Sequence, residues 1–320
     1  MKVKLEDVAK AAGVSPTTVS RVLNNRGYIS DQTRAKVESA IEELNYYPND
    51  VARSLFKKRT NFIGLILPTV SNPFFGELAL YIENHCSELG YKIILCNSNG
   101  QIDKEKAYST MLIRHQVDGI IVCSYNRGID TYKHPKLPIV AIDHYLAPTI
   151  PVVGSDNYAG GKLAVQHLID QGCKSIIHIN GPIELETPAH FRRKAYEDLV
   201  ENPINYALPF DVDRIAFIRK ILKDVPEIDG IFASDDMIAA ACLQVARELN
   251  IHVPDQLKVV GYDGTEATMT LLPQLTTIRQ PIEDIAKTSV SKLTYMIDNS
   301  KYSGPHETTL PVELLINGTT

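Results

Sequence analysis

Apolar residues recur along this chain with two different periods. Leu5, Val8, Ala9 and Ala12 fall at the three- and four-residue spacing of one helix face, and Val19, Val22 and Leu23 repeat it. Val37, Ala40, Ile41 and Leu44 repeat it again. Gly13 stops the first helix, because glycine takes positive φ at a C-terminal cap without strain. Ser15 caps the second, with Pro16 at its first position, where a missing N–H costs nothing. Ser30 of "SDQT" caps the third, and Pro48 is expected to end it. Three short helices with one tight glycine turn predict a helix-turn-helix module over residues 1–47.

From residue 61 the pattern changes. Unbroken apolar runs, "NFIGLILP", "YKIILCN", "VDGIIVC" and "PIVAID", alternate with amphipathic stretches such as "FGELALYIENHCSELG" and "KEKAYSTMLIRHQ". Runs of that kind are strands buried on both faces, so a parallel sheet covered by helices is expected. A second set, "KSIIHIN", "DVDRIAFIR", "DGIFASDD", "LKVVGYD" and "LTTIRQ", repeats the scheme. The fold class is therefore α/β: a three-helix headpiece and a hinge, then two doubly wound lobes. Such lobes form a hinged clamshell that holds its ligand between them, at the C-terminal ends of the strands.

Charge sharpens this division. The formal net charge is -5, but residues 1–60 carry 11 Lys and Arg against 7 Asp and Glu, and the remainder carries 22 against 31. A basic head on an acidic body, together with the N-terminal placement, strengthens the reading of the helix-turn-helix module as a DNA-binding one over a bland helical bundle with solvated hydroxyls. Cys86, Cys96, Cys123, Cys173 and Cys242 are scattered and form no CxxC pair, so neither a disulfide framework nor a zinc site is indicated. "MKVKLEDVAK" has acids where a signal peptide needs an apolar run, and no run approaches the ~20 residues that span a bilayer. The expected compartment is the cytoplasm, at the nucleoid, with no membrane partner.

On the second helix Thr17, Thr18, Ser20, Arg21 and Asn24 lie on or beside the face opposite the valines. "LEDVAKAAGVSPTTVSRVLN", followed by "SDQTRAKVESAIEELNYYPNDVARSL", resembles the DNA-binding headpiece of the lactose-repressor (LacI/GalR) family of bacterial transcription regulators, almost without a break from Leu5 to Leu55. The resemblance makes the second helix a recognition helix in the major groove. It implies that Pro16, Thr17 and Arg21 face base edges, while Ser15, Thr18, Ser20, Asn24 and Tyr28 hold phosphates. The chemistry agrees, since short hydroxyls and amides bind the backbone and Arg reads guanine bidentately.

Residues 48–60, "PNDVARSLFKKRT", join the head to the body. On composition alone Lys57, Lys58 and Arg59 make a solvated basic linker. The resemblance implies a hinge helix instead, with Asn49, Ala52 and Leu55 on DNA and Leu55 wedged into the minor groove. So short a segment does not hold a helix alone in water. Paired headpieces read half-sites related by a two-fold axis, so a homodimer on a pseudo-palindromic double-stranded operator is expected. The sequence closes on "PVELLINGTT" without a leucine heptad, which favours a dimer over a tetramer.

The body is similar to periplasmic sugar-binding proteins, as the family implies. An N-subdomain is expected at about 61–156 and 281–312, and a C-subdomain at about 157–280 and 313–320. Candidate effector residues lie at strand ends: Asn72, Phe74 and Phe75 in "SNPFF", Asp143, Asp263 and Gln280. Arg192 matches the family's effector-contacting Arg, and Ser234 sits where sugar binders commonly have Asn. Carboxylates, amides and one Arg around aromatic faces suit a polyol, whose hydroxyls donate and accept. Phe74 and Phe75 read first as sugar-stacking faces with core packing as the alternative, and Asp235 and Asp236 as caps of the next helix rather than a metal pair.

No GxGxxG after a strand, GxSxG, HExxH or Walker sequence occurs, so an enzyme is not expected, nor a cofactor. The expectation is a repressor of a sugar-utilisation operon, controlled by a sugar or sugar phosphate. "VGYDGTEATMTLLPQLTTIRQPIEDIA" and "LAPTIPVVGSDNYAGGK" are most similar to sucrose-operon repressors, which favours a sucrose- or fructose-type effector. A ribose repressor or catabolite-control regulator of the same family is the alternative, and a sugar-modifying enzyme fused to a DNA-binding head a remote one.

Overall fold

The computed structural model describes residues 3–47, 59–126, 128–133, 137–182, 187–209, 212–299 and 302–320. The chain divides into two compact units, Met1–Thr60 and Asn61–Thr320.

The first unit holds α1 (Leu5–Ala12), α2 (Pro16–Leu23) and α3 (Asp31–Glu43). Gly13 ends α1 at φ 67°, and the side chains of Ser15 and Ser30 accept from the N–H groups of Thr18 and Thr33 to start α2 and α3. Val8, Val19 and Val37, one from each helix, are wholly buried, with Leu5, Leu23, Ile41 and Leu44 packed around them. The expected end of α3 at Pro48 needs correction. The helix stops at Glu43, and Asn45 takes φ 47°. Tyr46 then donates its N–H to the carbonyl of Ile41 at 2.9 Å and is buried. Asparagine tolerates the left-handed conformation, so it terminates the helix before proline is reached.

The second unit contains two six-stranded sheets. In chain order its elements are β1 (Phe62–Leu67), α4 (Pro73–Glu88), β2 (Lys92–Asn97), α5 (Ile102–Arg114), β3 (Gly119–Val122), β4 (Ile139–Ile142), β5 (Val152–Ser155), α6 (Asn157–Asp170), β6 (Ile176–Asn180), α7 (Ala189–Leu199), β7 (Ile204–Ala207), α8 (Arg214–Asp224), β8 (Gly230–Ala233), α9 (Asp236–Glu248), β9 (Lys258–Asp263), α10 (Glu266–Leu271), β10 (Thr276–Arg279), α11 (Ile282–Asp298), β11 (Glu307–Leu310) and β12 (Glu313–Leu315). The strand orders are β11-β5-β4-β3-β1-β2 and β12-β10-β9-β8-β6-β7. Every recorded pairing is parallel except that of β12 with β10.

Each sheet is buried on both faces. Ile63, Leu65 and Leu67 of β1 pack with Leu78 and Ile82 of α4 and Ile285 and Leu293 of α11, while Ile66 faces Leu112 of α5. In the second sheet Ile177, Ile231 and Val259 meet α8 and α9, while Phe232, Val260 and Tyr262 meet α6 and α7. Within the stretch "DVDRIAFIR", Asp213 caps α8 and Arg214 to Arg219 form its first turns, so these residues are helix rather than strand. The chain passes between the lobes three times, after β5, after β10 and after β11. In both sheets the order reverses beside the first strand of the lobe, between β1 and β3 and between β6 and β8. Loops leaving such adjacent strands in opposite directions open a crevice at their C-terminal ends.

Candidate functional site

Two surfaces carry chemistry. On α2, Ser15, Pro16, Thr17 and Arg21 are exposed, Thr18, Ser20 and Asn24 are half-buried, and Tyr28 is 96% exposed. The valines on the opposite face hold the helix to the headpiece core. Part of this polar set serves the helix itself. Ser15 and Thr18 share a hydroxyl contact of 2.9 Å, and Asn24 donates its side-chain amide to the Ser20 carbonyl at 2.8 Å. What remains is a short convex strip of hydroxyls and one guanidinium, able to meet phosphates and a guanine edge. Asn49, Ala52 and Leu55 lie outside the described residues.

The second surface is a cavity in the crevice between the sheets. Asn72, Phe74, Phe75, Asp143, Arg192, Ser234, Asp263 and Gln280 all line it. Phe74 and Phe75 are core residues as well, each 6% exposed and packed edge to face. Asn72 spends its side-chain oxygen on the Phe74 N–H, capping α4 at 2.8 Å. Tyr125, Asn180 and Thr187 also line the cavity and were not foreseen. Tyr125 and Thr187 lie in loops after β3 and β6, and Asn180 is the last residue of β6; none carries a local sequence signal. Only the rule that ligands sit at strand C-termini would have found them.

Arg192 anchors the polar part. Its Nε donates to Asn157 at 2.8 Å, its Nη1 donates to the Ser234 carbonyl, and its guanidinium lies 3.5 Å from the Tyr262 ring centre. Nη1 is also 3.9 Å from the carboxylate of Asp263. Gly161 lets α7 come this close to α6: a Cβ there would stand 2.8 Å from Ala195 and 3.0 Å from the Arg192 Cα. Asp263 accepts from the Gln280 amide at 2.7 Å, and Asp143 accepts from the Ser155 N–H at 3.3 Å.

Burial pushes these carboxyls up. Asp143 rises to about 6, held back by the Arg192 charge and by bonds from Ser155 and Asn157. Asp263 rises well above the usual carboxylate range, also through burial and against the pull of Arg192. Asp236, behind the cavity, rises to about 7 through burial although Thr277 and the Gly264 N–H both donate to it. Asp235 caps α9 by accepting from Ile238 at 2.7 Å. The two acids thus serve different partners, and among the described residues no cluster of His, Cys, Asp and Glu is suited to a metal ion. No helix among the described residues is long and apolar enough to cross a membrane. The arrangement is chemically suited to hydroxyls: carboxyls and amides fixed in direction, one guanidinium, and aromatic faces for the apolar side of a ring.

Residues 4–49 match the model for bacterial regulatory proteins of the lacI family, and residues 165–320 that for a periplasmic binding protein-like domain. The sucrose operon repressor of Pediococcus pentosaceus is 45% identical over 322 residues, covering 98% of this chain and 98% of its own. A periplasmic binding protein/LacI transcriptional regulator from Alkaliphilus metalliredigens QYMF, solved with D-xylulofuranose, is 32% identical at a TM-score of 0.72, over 81% of this chain and 99% of that one. The lac repressor dimer bound to operator and the anti-inducer ONPF is 26% identical at a TM-score of 0.86, over 100% of this chain and 99% of that one. With a headpiece match and a relative of this identity along nearly its whole length, the chain belongs to the lacI family of bacterial regulatory proteins.

Proposed function

We propose that this chain is a sugar-responsive transcriptional repressor that acts on a sugar-utilisation operon as a homodimer. The strip from Ser15 to Asn24, with Tyr28, meets a pseudo-palindromic operator, and Asn49, Ala52 and Leu55 extend that contact into the minor groove. A sugar binds between the lobes against Asn72, Phe74, Phe75, Asp143, Arg192, Ser234, Asp263 and Gln280. No cofactor takes part, and the protein works in the cytoplasm on nucleoid DNA. The sucrose operon repressor's identity supports a sucrose- or fructose-type effector, and the sugar held by the Alkaliphilus relative supports a sugar in the crevice.

The observation that carries the effector class is the scarcity of cations among the described lining residues of the cavity. Among its described lining residues Asp143, Asp235 and Asp263 stand against one cation, Arg192, already turned toward Asp263 and the Ser234 carbonyl. A phosphate monoester brings about -1.5 to -2 charges at pH 7 and needs several cationic or N–H donors. The cavity therefore favours a neutral sugar over its phosphate ester.

Selection from random duplexes should recover a two-fold symmetric site. Fluorescence anisotropy on that site with sucrose, D-fructose, D-ribose and the corresponding phosphates then tests the reading. A neutral sugar changes operator affinity, and its phosphate ester acts at least about tenfold more weakly, roughly 1.4 kcal/mol. Recovery of no preferred site overturns the repressor reading, and a stronger response to an ester overturns the neutral class.

A further inference from the structure

A carboxylate lies wholly buried in the first lobe, away from the cavity. Glu105, on α5, is 0% exposed beside the cluster of Leu112, Ile120, Val122 and Tyr132. An ion in such a place is costly unless each lone pair finds a donor. Here donors come from one short segment and its neighbour. Ser124 donates its hydroxyl to Oε2 at 2.5 Å, Asn126 its amide to the same oxygen at 2.7 Å, and Tyr132 its phenol to Oε1 at 2.5 Å. The Ser124 hydroxyl in turn accepts from the Asn126 N–H at 3.0 Å.

Ser124 and Asn126 flank Tyr125, so the residue between them is fixed from both sides. Tyr125 lines the cavity, and its ring meets that of Phe75 edge to face with centres 6.3 Å apart. The loop has left β3 by this point, so the ladder that pairs β3 with β1 ends before it. The carboxylate supplies what the sheet no longer does. A leucine in place of Glu105 would suit its apolar neighbours but would leave both donors of the loop unmatched.

We propose that Glu105 is a positioning residue for the sugar site: by holding Ser124 and Asn126 it presents Tyr125, opposite Phe75, as an aromatic wall for the ligand. This rests on the reading of the cavity as a sugar site. Tyr125 covers the apolar face of the sugar ring, and Glu105 acts only through it. Buried networks in which every member is satisfied specify one local conformation, which is the property a binding wall needs.

Glu105→Gln keeps the size but turns one of the two acceptor oxygens into an NH2 donor, so Ser124, Asn126 and Tyr132 can no longer all donate to the side chain at position 105. The test is a double-mutant cycle on the full-length protein, read by calorimetry with whichever of sucrose, D-fructose or D-ribose the parent protein binds. Glu105→Gln should weaken sugar binding by at least about tenfold while operator affinity without sugar stays within about twofold. In the Tyr125→Ala background the same substitution should change sugar affinity by less than about twofold, because the wall is already gone. Ser124→Ala removes one donor with less risk to folding, and should give an intermediate loss that also vanishes without Tyr125. The assignment falls if these losses persist unchanged in the Tyr125→Ala background, or if Glu105→Gln and Ser124→Ala bind sugar like the parent. Failure of the parent protein to bind any of the three sugars overturns the sugar reading itself and the assignment with it.

Discussion

The hydroxyl of Ser155 donates to the side-chain oxygen of Gln280 at 2.6 Å, joining the first passage of the chain between the lobes to the second. Ser155 is the last residue of β5, and Gln280 follows β10 directly. The amide end of Gln280 continues the link to Asp263, which faces Arg192. Hydrogen bonds thus run from Ser155 through Gln280 to Asp263, whose carboxylate lies 3.9 Å from Arg192, so a ligand that draws on Asp263 pulls on a link between two of the passages that join the lobes.

Replacing Gln280 by Leu should therefore affect more than the cavity. It leaves the Asp263 carboxyl and the Ser155 hydroxyl without this partner, at about 1–3 kcal/mol for each buried group left unmatched. Urea unfolding reads the loss directly. A change below about 0.5 kcal/mol would show that water replaces the amide at no cost.

Arg21 offers a test of the headpiece. As an exposed guanidinium on α2 it is free to read a base edge, and Arg21→Ala should cost about 1–3 kcal/mol on the best operator and much less on random DNA. Anisotropy at one fixed salt concentration measures both. Equal losses on the two would make Arg21 a phosphate contact only.

The acid behind the cavity predicts a pH dependence. Burial raises Asp236 to about 7, so the folded protein keeps a proton that the unfolded chain releases near the ordinary value of about 3.9. Its contribution to stability is complete below about pH 4 and is lost as pH rises through about 7. Asp236→Asn does not titrate. Whatever the variant loses in its bonds to Thr277 and Gly264, it should gain on the parent protein as pH goes from about 5 to about 8. Urea midpoints for the two proteins that run parallel over that range would show that Asp236 releases its proton at an ordinary pKa.

Gly161→Ala sets two effects against each other. Alanine in a helix interior is worth about 1 kcal/mol over glycine. Here its Cβ would stand 2.9 Å from the Arg192 carbonyl oxygen and 3.0 Å from the Arg192 Cα, and backbone does not yield as a flexible side chain does. Overpacking of that kind costs about 1–3 kcal/mol, so the net effect should be destabilising, with Arg192 displaced and sugar affinity reduced. A higher melting temperature with unchanged sugar affinity would refute this.

Local rules made much of this legible. The caps at Ser15 and Ser30, the glycine stop at Gly13 and the buried stripe of each headpiece helix depend on residues within a turn of one another, and the structure has them as read. The eight cavity residues were found from strand ends and a family pattern rather than from any contact between them. The misses are nonlocal or rest on a competing cap. Asn45 ended α3 ahead of Pro48 because a left-handed asparagine leaves little mark in a helical pattern. Glu105 reads in "KEKAYS" as one more exposed charge of an amphipathic helix, and only the fold brings its donors from 19 to 27 residues away. β7, "INYA", is an edge strand of four residues, too short for a pattern to show.

The third passage between the lobes has a consequence for synthesis. β11 is the outer strand of one sheet beside β5, and β12 is the outer strand of the other beside β10. A ribosome working from the N-terminus releases the headpiece early with its core complete, yet neither sheet is finished until residues 307–320 have left the exit tunnel. During that interval the edges of β5 and β10 are both open, and unpaired edges are where chains join to one another. A polypeptide released before residue 307 would carry a finished DNA reader on a sensor lacking one strand from each lobe. Translational arrest late in this message would thus yield chains with a folded headpiece and an open edge on each sheet of the body.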